Sequence, residues 1–266
     1  MAAGAAQPLG CLIEPQQIAD VGSPVIGVIE RVEVERGQFV RKGQVLARLQ
    51  AGVERASLSV AHSRADSDAD EQAAHASATF NRERLQRAED LFRQQFISQQ
   101  ALDQARTEAH LADQKLAQAR DQRKVSLQER DVAAAQLSQR VIRSPMDGVV
   151  AERFLSAGER VDDKPVLRLA KVNPLKVQVV VPMAMYAQVL PLHSASVQPE
   201  LAGAAPVTAR VTLVDKVVDP ASNTFRVQLE LPNPRFQLPA GLRCKVDFGV
   251  PPSAGPELID AVARGR

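Results

Sequence analysis

Two stretches of the chain alternate apolar and polar residues with the period of a β-strand. Residues 23–46 read SPVIGVIERVEVERGQFVRKGQVL, and residues 144–167 read SPMDGVVAERFLSAGERVDDKPVL. They align without a gap and share the pairs Ser23/Ser144, Pro24/Pro145, Gly27/Gly148, Val28/Val149, Gly37/Gly158, Val40/Val161, Val45/Val166 and Leu46/Leu167. One such unit exposes a hydrophobic face that it cannot bury alone. The internal repeat therefore predicts two copies that face each other in a small sandwich with pseudo-two-fold symmetry.

Between the two copies lies a long segment with a helical hydrophobic period. Residues 53–141 contain neither Pro nor Gly, which favours long helices. A heptad stripe runs through the second half and resumes after a slip of about four residues, as a stutter produces. Its members are Leu102, Ala105, Ala109, Ala112, Leu116 and Ala119, then Leu127, Ala134, Leu137 and Val141. A fainter stripe in the first half comprises Val53, Ala56, Val60, Ala74, Ala88 and Leu91.

A chain break at Ile97 and Ser98 divides the segment into two arms. Ser98 is a candidate N-cap, and residues 101–140 form the returning helix. Each arm has about 45 residues and is therefore roughly 65 Å long at 1.5 Å per residue. Phe92, Phe96 and Ile97 fall at the turn, where they close it hydrophobically.

The region after the second copy alternates in short runs whose prolines lie between the runs, which predicts a small antiparallel β-barrel. The N-terminal CLIEPQQIADVG is expected to add a strand to this barrel and to bring Cys11 near it. Two interpretations of Cys11 and Cys244 stay open. They form one disulfide if the N-terminal strand returns beside a C-terminal one, or they are two buried free thiols.

The composition excludes several classes of function without identifying one. Basic and acidic residues number 33 and 31 and are well mixed, and the single Tyr offers little for base stacking, so a nucleic-acid surface is not expected. No nucleophile, phosphate-loop or dinucleotide motif occurs. The histidines His62, His75, His110 and His193 lack a metal-ligand spacing. We therefore expect no active site, no metal site and no cofactor. The sequence contains no run of 18 apolar residues, so a membrane-spanning helix is not predicted.

The two repeat copies resemble the half-motifs of lipoyl and biotinyl carrier domains. Those carriers hold a modified lysine at the junction of their halves, whereas here the first half ends in LARLQAGVERA and continues into the helical segment. The spacing Arg87-x3-Leu91-x6-Ser98 and the following ISQQALDQA resemble the tip signature of periplasmic adaptor subunits of bacterial tripartite efflux pumps. These are membrane fusion proteins of the HlyD/RND type. The final region resembles their β-barrel domain.

This resemblance implies a mainly β fold with a long α-helical hairpin. A split lipoyl-like β-sandwich would be interrupted by an antiparallel coiled-coil hairpin and followed by a small antiparallel β-barrel. The expected domains are an N-terminal segment with a barrel strand (1–20), lipoyl-like half-motif 1 (21–51), the hairpin (52–142), half-motif 2 (143–171), the barrel (172–250) and a C-terminal tail (251–266).

The same resemblance implies a non-enzymatic adaptor without a cofactor. It would link an inner-membrane efflux transporter, RND rather than ABC, to a TolC-type outer-membrane channel. The adaptor would be periplasmic, associated with the inner membrane through the transporter, and assembled as a hexameric ring. Arg87, Leu91 and Ser98 would face the channel at the hairpin tip. Two alternatives remain: a biotinyl/lipoyl-type carrier and a stand-alone coiled-coil scaffold.

Overall fold

The structure, a computed structural model, describes residues 8–249. Its strands are β1 (Leu9–Val21), β2 (Gly27–Val32), β3 (Phe39–Val40), β4 (Val45–Leu49), β5 (Val141–Arg143), β6 (Gly148–Arg153), β7 (Arg160–Val161), β8 (Leu167–Pro182), β9 (Ser194–Pro199), β10 (Val207–Val214), β11 (Thr224–Leu231) and β12 (Arg243–Asp247). Its α-helices are α1 (Gly52–Asp66), α2 (Ala69–Arg93), α3 (Gln99–Ser138) and α4 (Tyr186–Val189). The predicted tail at 251–266 lies outside the described residues.

The two repeat copies form a sandwich in which each copy completes the other. β2 of the first copy pairs with β7 of the second through Gly27 and Val161, and β6 of the second pairs with β3 of the first through Gly148 and Val40. Gly37 and Gly158 both take positive φ angles, 86° and 88°, in the matching turns. The predicted pseudo-two-fold sandwich is confirmed, because equivalent residues make equivalent hydrogen bonds.

Six strands close into the predicted barrel. β1, β12, β9, β10, β11 and β8 are neighbours in that order, and β8 pairs back with β1. The interior is filled by fully buried Val, Leu and Phe side chains such as Phe225 and Leu229. Cys11 on β1 lies opposite Cys244 on β12, and a disulfide joins them. Of the two interpretations of the cysteines, the structure therefore contains the bonded pair.

β1 and β8 are long enough to belong to both β domains. Their ladder runs from the barrel into the sandwich, with a register shift between Pro15 and Gln17. Both strands pass through the expected domain boundaries at 20/21 and 171/172, and those boundaries stay predictions. At the junction the buried Asn233 donates from its side-chain amide to the carbonyls of Val172 and Leu238, so it fixes the β11–β12 connection against β8.

The helical insert (residues 52–138) consists of two arms that run side by side in opposite directions. α1 and α2 form the first arm and α3 the second. Ion pairs link the arms in antiparallel order, among them Glu54–Arg140, Glu71–Arg123, Arg82–Asp113 and Arg84–Glu108. The 40 residues of α3 span about 60 Å. Whether the arms interlock as a coiled coil stays a prediction.

Arg140 anchors the insert to the sandwich. Its guanidinium donates to Glu54 at 2.5 Å and to the carbonyl of Ile26 at 3.0 Å, and both charged side chains are mostly buried. The pKa of Glu54 is lowered, first by the hydrogen bond from its own backbone N–H at the start of α1 and then by Arg140. The base of the insert is thus fixed by groups from both arms.

The first arm is interrupted, which the sequence pattern did not predict. Ser67 is extended (φ −72°, ψ 115°) and separates α1 from α2. The break falls in SRADSDADE, where Ser and Asp side chains compete for backbone hydrogen bonds and disfavour a helix interior.

The predicted stripe on α3 is correct up to Ala119, and Leu127 and Leu137 beyond it are partly buried as predicted, but Ala134 is not part of it. Ala133 is buried and Ala134 is exposed, so the heptad continues without a slip through Arg123, Ser126 and Arg130. A polar residue can occupy this seam because Arg123 donates to Glu71 at 2.8 Å. Val141, predicted to end the stripe, lies in β5.

The fainter stripe of the first arm is wrong at several positions. Val53, Val60 and Leu91 are exposed, as is Ala56, whereas Ala74 and Ala88 are partly buried as predicted. The side chains that face α3 include Leu58, Ala61, Ala65, Ala74, Ala78, Leu85 and Ala88. An alanine-rich helix has a weak apolar periodicity, and contacts with the other arm decide its orientation.

Candidate partner-docking site at the tip of the helical insert

The tip (residues 87–98) begins with a tightly capped helix end. The N–H of Gln95 donates to the carbonyl of Phe92, and the N–H of Phe96 donates to the carbonyl of Leu91, both at 2.9 Å. Gln95 has a φ of 65°. This is the Schellman arrangement, whose left-handed position usually holds Gly. The chain therefore turns sharply after Arg93, without needing a long loop.

Ser98 starts the returning arm, as predicted. Its backbone is extended, and its hydroxyl oxygen accepts a hydrogen bond from the N–H of Ala101 at 3.3 Å. An N-cap of this type satisfies one of the helix's otherwise unpaired donors. The side chain is exposed, so its hydroxyl hydrogen remains free to donate to a partner.

Arg87 and Leu91 lie one helical turn apart on α2. Arg87 is exposed, and its guanidinium is 3.9 Å from Glu83, a separation too long for a hydrogen bond. Its five donors are consequently available to a carboxylate or to carbonyl groups. Leu91 is 42% exposed and offers an apolar contact beside that charge. Ser98 is close in sequence but begins the other helix.

Of the three residues predicted to close the turn, two are half-buried and one is exposed. Phe92 and Ile97 are half-buried, consistent with closing the turn. Phe96 was expected to close it as well, and that expectation is wrong because its side chain is 73% exposed. The cap geometry places its backbone, not its ring, against the end of α2. Leu91 and Phe96 are therefore two exposed apolar side chains at the tip, a pairing that the Schellman spacing could have indicated.

Charged groups around the tip are mostly paired within the chain. Arg93 is bonded to Asp90, and Arg106 lies 3.9 Å from Glu89 and 3.7 Å from Asp103. Exposed pairs of this kind contribute little stability each. They do neutralise the carboxylates near the end of the insert, and Arg87 is left as the cation with the weakest pairing among them.

Within residues 8–249, no group of three or more His, Cys, Asp or Glu side chains is arranged to hold a metal ion. His62 instead bonds Asp66 at 2.7 Å. No helix in the same range is both long and apolar enough to cross a bilayer.

Comparison with known proteins identifies the class that this architecture defines. A family model described as "CzcB-like, barrel-sandwich hybrid domain" matches residues 17–171, and one described as "CusB-like, beta-barrel domain" matches residues 175–251. The first match alone covers more than half of the chain. The chain therefore belongs to the CzcB-like barrel-sandwich hybrid domain family.

Among individual proteins, MacA from Actinobacillus actinomycetemcomitans superposes with a TM-score of 0.75 at 20% identity, covering 92% of this chain and 78% of that one. The membrane fusion protein Spr0693 from Streptococcus pneumoniae R6 gives 0.60 at 13% identity, covering 91% and 98%. ZneB from Cupriavidus metallidurans gives 0.51 at 22% identity, covering 93% and 99%.

A curated relative, an uncharacterized protein of Haemophilus influenzae, is 22% identical over 254 residues. The chain spans 59% of that relative's length and 95% of its own. At these identities the likeness establishes the fold.

Proposed function

We propose that this chain is a non-enzymatic periplasmic adaptor that links an inner-membrane efflux transporter to a TolC-type outer-membrane channel. The observation that carries the proposal is the position of Arg87, Leu91 and Ser98. All three are exposed at the end of an insert about 60 Å long that leaves a barrel-sandwich scaffold. A long antiparallel coiled-coil hairpin is suited to reaching across a gap and presenting its end.

The chemistry of the tip defines the kind of surface it fits. Arg87 would donate to carboxylates or backbone carbonyls of the channel, and Leu91 would enter a small apolar recess. Ser98 would add one hydroxyl donor while its oxygen caps α3. Arg is enriched among the residues that contribute most to binding at protein interfaces. Phe96 extends the apolar part of this surface.

Location and assembly complete the proposal. The Cys11–Cys244 disulfide suits an oxidising compartment such as the periplasm. The adaptor would associate with the inner membrane through its transporter, which we take to be of the RND type, in keeping with the CusB-like barrel match. A ring of six copies would surround the channel end. Transport energy would come from the transporter, so the adaptor needs no cofactor.

The test is drug susceptibility of a cell whose resistance depends on this protein. We expect Arg87→Asp and Leu91→Ser each to abolish resistance while expression and helical circular dichroism stay unchanged. Arg87→Asp places an anion where the channel would meet a cation, and Leu91→Ser removes the apolar contact.

Lys124→Asp is the matched control, because it makes the same change of charge at an exposed site on α3 far from the tip. It should leave resistance intact. Unchanged resistance in both tip variants would contradict the proposal that the tip binds the channel. Equal loss with Lys124→Asp would assign the effect to the whole insert.

A further inference from the structure

The loop between β11 and β12 is held in place by one buried side chain. Asn233 is 3% exposed, and its amide nitrogen donates to the carbonyls of Val172 and Leu238. Its amide oxygen accepts from the N–H of Leu238 at 3.1 Å, and its own backbone N–H donates to the side chain of Asn173 at 3.0 Å. Residues 233–238 therefore form a closed turn tied to β8, and the tip of that turn has a defined position.

Phe236 lies at the tip of this turn in a conformation that a bulky residue rarely adopts. Its φ is 53°, in the left-handed region that disfavours residues with a Cβ. Burial does not compensate, because the side chain is 45% exposed. Its ring contacts that of Phe39 on β3, which is 40% exposed, with centroids 4.9 Å apart and planes tilted by 47°. Unusual backbone conformations of this kind concentrate at binding and active sites.

The two rings form part of an open pocket of about 300 Å³ between the sandwich and the β11–β12 loop, here called the junction pocket. Its aromatic and charged lining residues are Phe39, Arg41, Asp147, Lys171 and Phe236. In the part of the chain that the structure describes, neither Arg41 nor Lys171 makes an ion pair within 4.0 Å. Asp147 accepts a hydrogen bond from the backbone N–H of Lys42 at 2.8 Å. Two available cations therefore stand beside one carboxylate that the chain already engages, and this balance favours an anion.

The second repeat copy shows that the sandwich itself does not require these residues. In the gapless alignment of the two copies, Phe39 corresponds to Arg160 and Arg41 corresponds to Asp162. The matching positions of the second copy thus carry a cation in place of the ring and a carboxylate in place of the cation. Rings and cations occur together only in the copy that meets the β11–β12 loop, where Phe236 adds the second ring.

We propose that the junction pocket binds a planar aromatic carboxylate. The ring of the ligand packs against Phe39 and Phe236, whose exposed faces and edges suit offset or edge-on contact with another flat ring. Its carboxylate meets Arg41 and Lys171. Arginine can hold a carboxylate through two parallel hydrogen bonds, and lysine adds a second positive charge. A volume of about 300 Å³ is at the small end of ligand pockets and suits one or two fused rings.

This inference goes beyond the proposed adaptor role and does not depend on the tip binding a channel. The junction pocket lies in the β domains, and ligand binding there can be measured on the purified chain. A failure of channel docking would appear in the susceptibility of cells and leave the binding unchanged. Because the walls come from the sandwich and from the β11–β12 loop, a bound ligand contacts both.

The test is isothermal titration calorimetry of the purified chain with 2-naphthoate at neutral pH. We expect one site per chain. Uncharged 2-naphthamide should bind about tenfold more weakly or worse, because it lacks the charge that Arg41 and Lys171 recognise. Decahydronaphthalene-2-carboxylate keeps the charge and loses the flat ring, and it should also bind more weakly.

Three results of this titration would overturn the proposal. One is the absence of 2-naphthoate binding up to its solubility limit. Another is equal binding of 2-naphthamide. The third is tighter binding of the cation 2-naphthylmethylammonium, which would make Asp147 the recognised charge. All three are measured on the unaltered chain, so none depends on the folding of a variant.

Two substitutions locate the binding site. Arg41→Gln removes the guanidinium and should raise the dissociation constant for 2-naphthoate by about tenfold. Phe39→Leu keeps an apolar side chain but removes one aromatic face, and it should raise the dissociation constant by about threefold or more. Circular dichroism checks that each variant keeps its fold.

Arg36→Gln and Phe154→Leu are the matched controls. Both residues are exposed on the same sandwich, and neither lines the junction pocket. Each control should leave the dissociation constant within about twofold. Equal weakening by the controls, or unchanged binding in Arg41→Gln or Phe39→Leu, would contradict the assigned site.

Discussion

The β domains and the helical insert are stabilised in different ways. The sandwich and barrel bury Leu, Val, Ile and Phe side chains completely, as at Leu46, Val150 and Leu229. The insert buries mainly alanines, and Ala78, Ala112 and Leu116 pack together there in a small cluster of buried residues. Stabilisation by burial grows with apolar area, so the insert gains less per residue. Its arms rely in addition on exposed ion pairs, each contributing little.

The contrast indicates that the insert is the part of the molecule that opens most easily. Two probes separate the regions. Tyr186, the single tyrosine of the sequence, packs edge-on against Phe225 with ring centroids 5.0 Å apart and reports on the barrel. Helical circular dichroism reports mainly on the insert.

The largest effect is expected from Leu229→Ala in the barrel. It removes a fully buried side chain and should lower the free energy of unfolding by about 2–5 kcal/mol. Tyrosine fluorescence during urea unfolding measures it. Val180→Ala on the exposed side of β8 is the control and should change stability by less than about 0.5 kcal/mol. If Leu229→Ala shifted the helical circular-dichroism transition by the same amount as the tyrosine transition, the barrel and the insert would unfold as one cooperative unit.

Replacing both cysteines by serine should have the next largest effect. The disulfide closes a loop of 233 residues at the seam between β1 and β12, and removing it should cost about 2–4 kcal/mol. The tyrosine transition should move more than the helical one. A larger shift of the helical signal would contradict the assignment of the bond to barrel stability.

Gln95→Gly should stabilise the tip by about 0.4–1 kcal/mol. Gly adopts the left-handed conformation of position 95 without the Cβ clash of Gln. The midpoint of the helical transition in urea measures the gain. Gln94→Gly is the neighbouring control, since Gln94 has a φ of −90° and gains nothing from Gly. A destabilising Gln95→Gly would contradict the Schellman geometry.

The smallest effect concerns acid stability of the insert. The hydrogen bond from Arg123 lowers the pKa of Glu71 below its ordinary value of 4.5. A group whose folded pKa is lowered contributes stability above its unfolded pKa, and that contribution is lost as the pH falls through the folded pKa. Helical stability should therefore fall below about pH 4.5, and less steeply in Glu71→Gln. An unchanged slope in that variant would exclude the pair as a cause.

Several features followed from the sequence because they depend on local pattern. The repeat predicted a two-fold sandwich through its matched glycines and alternating residues, and the prolines between runs predicted the barrel strands. Ser98 was a correct N-cap because capping needs only the residues of one turn.

At the tip and on the first arm, local sequence patterns predicted some side-chain positions incorrectly. Arg87, Leu91 and Ser98 were identified by spacing, and the structure places all three on the surface, although their role stays a proposal. Phe96 was assigned to the interior of the turn because it is aromatic, and backbone capping exposed it instead. On the first arm, alanine at many positions made several registers equally good, and Val53 and Val60 were assigned to the wrong face.

The sequence by itself determined the internal two-fold repeat and the turn that ends the insert, because each depends on residues close together in the chain or on a repeated pattern. Tertiary structure alone decided the pairing of Cys11 with Cys244 and the orientation of the arms. Those features depend on which groups meet across long sequence separations.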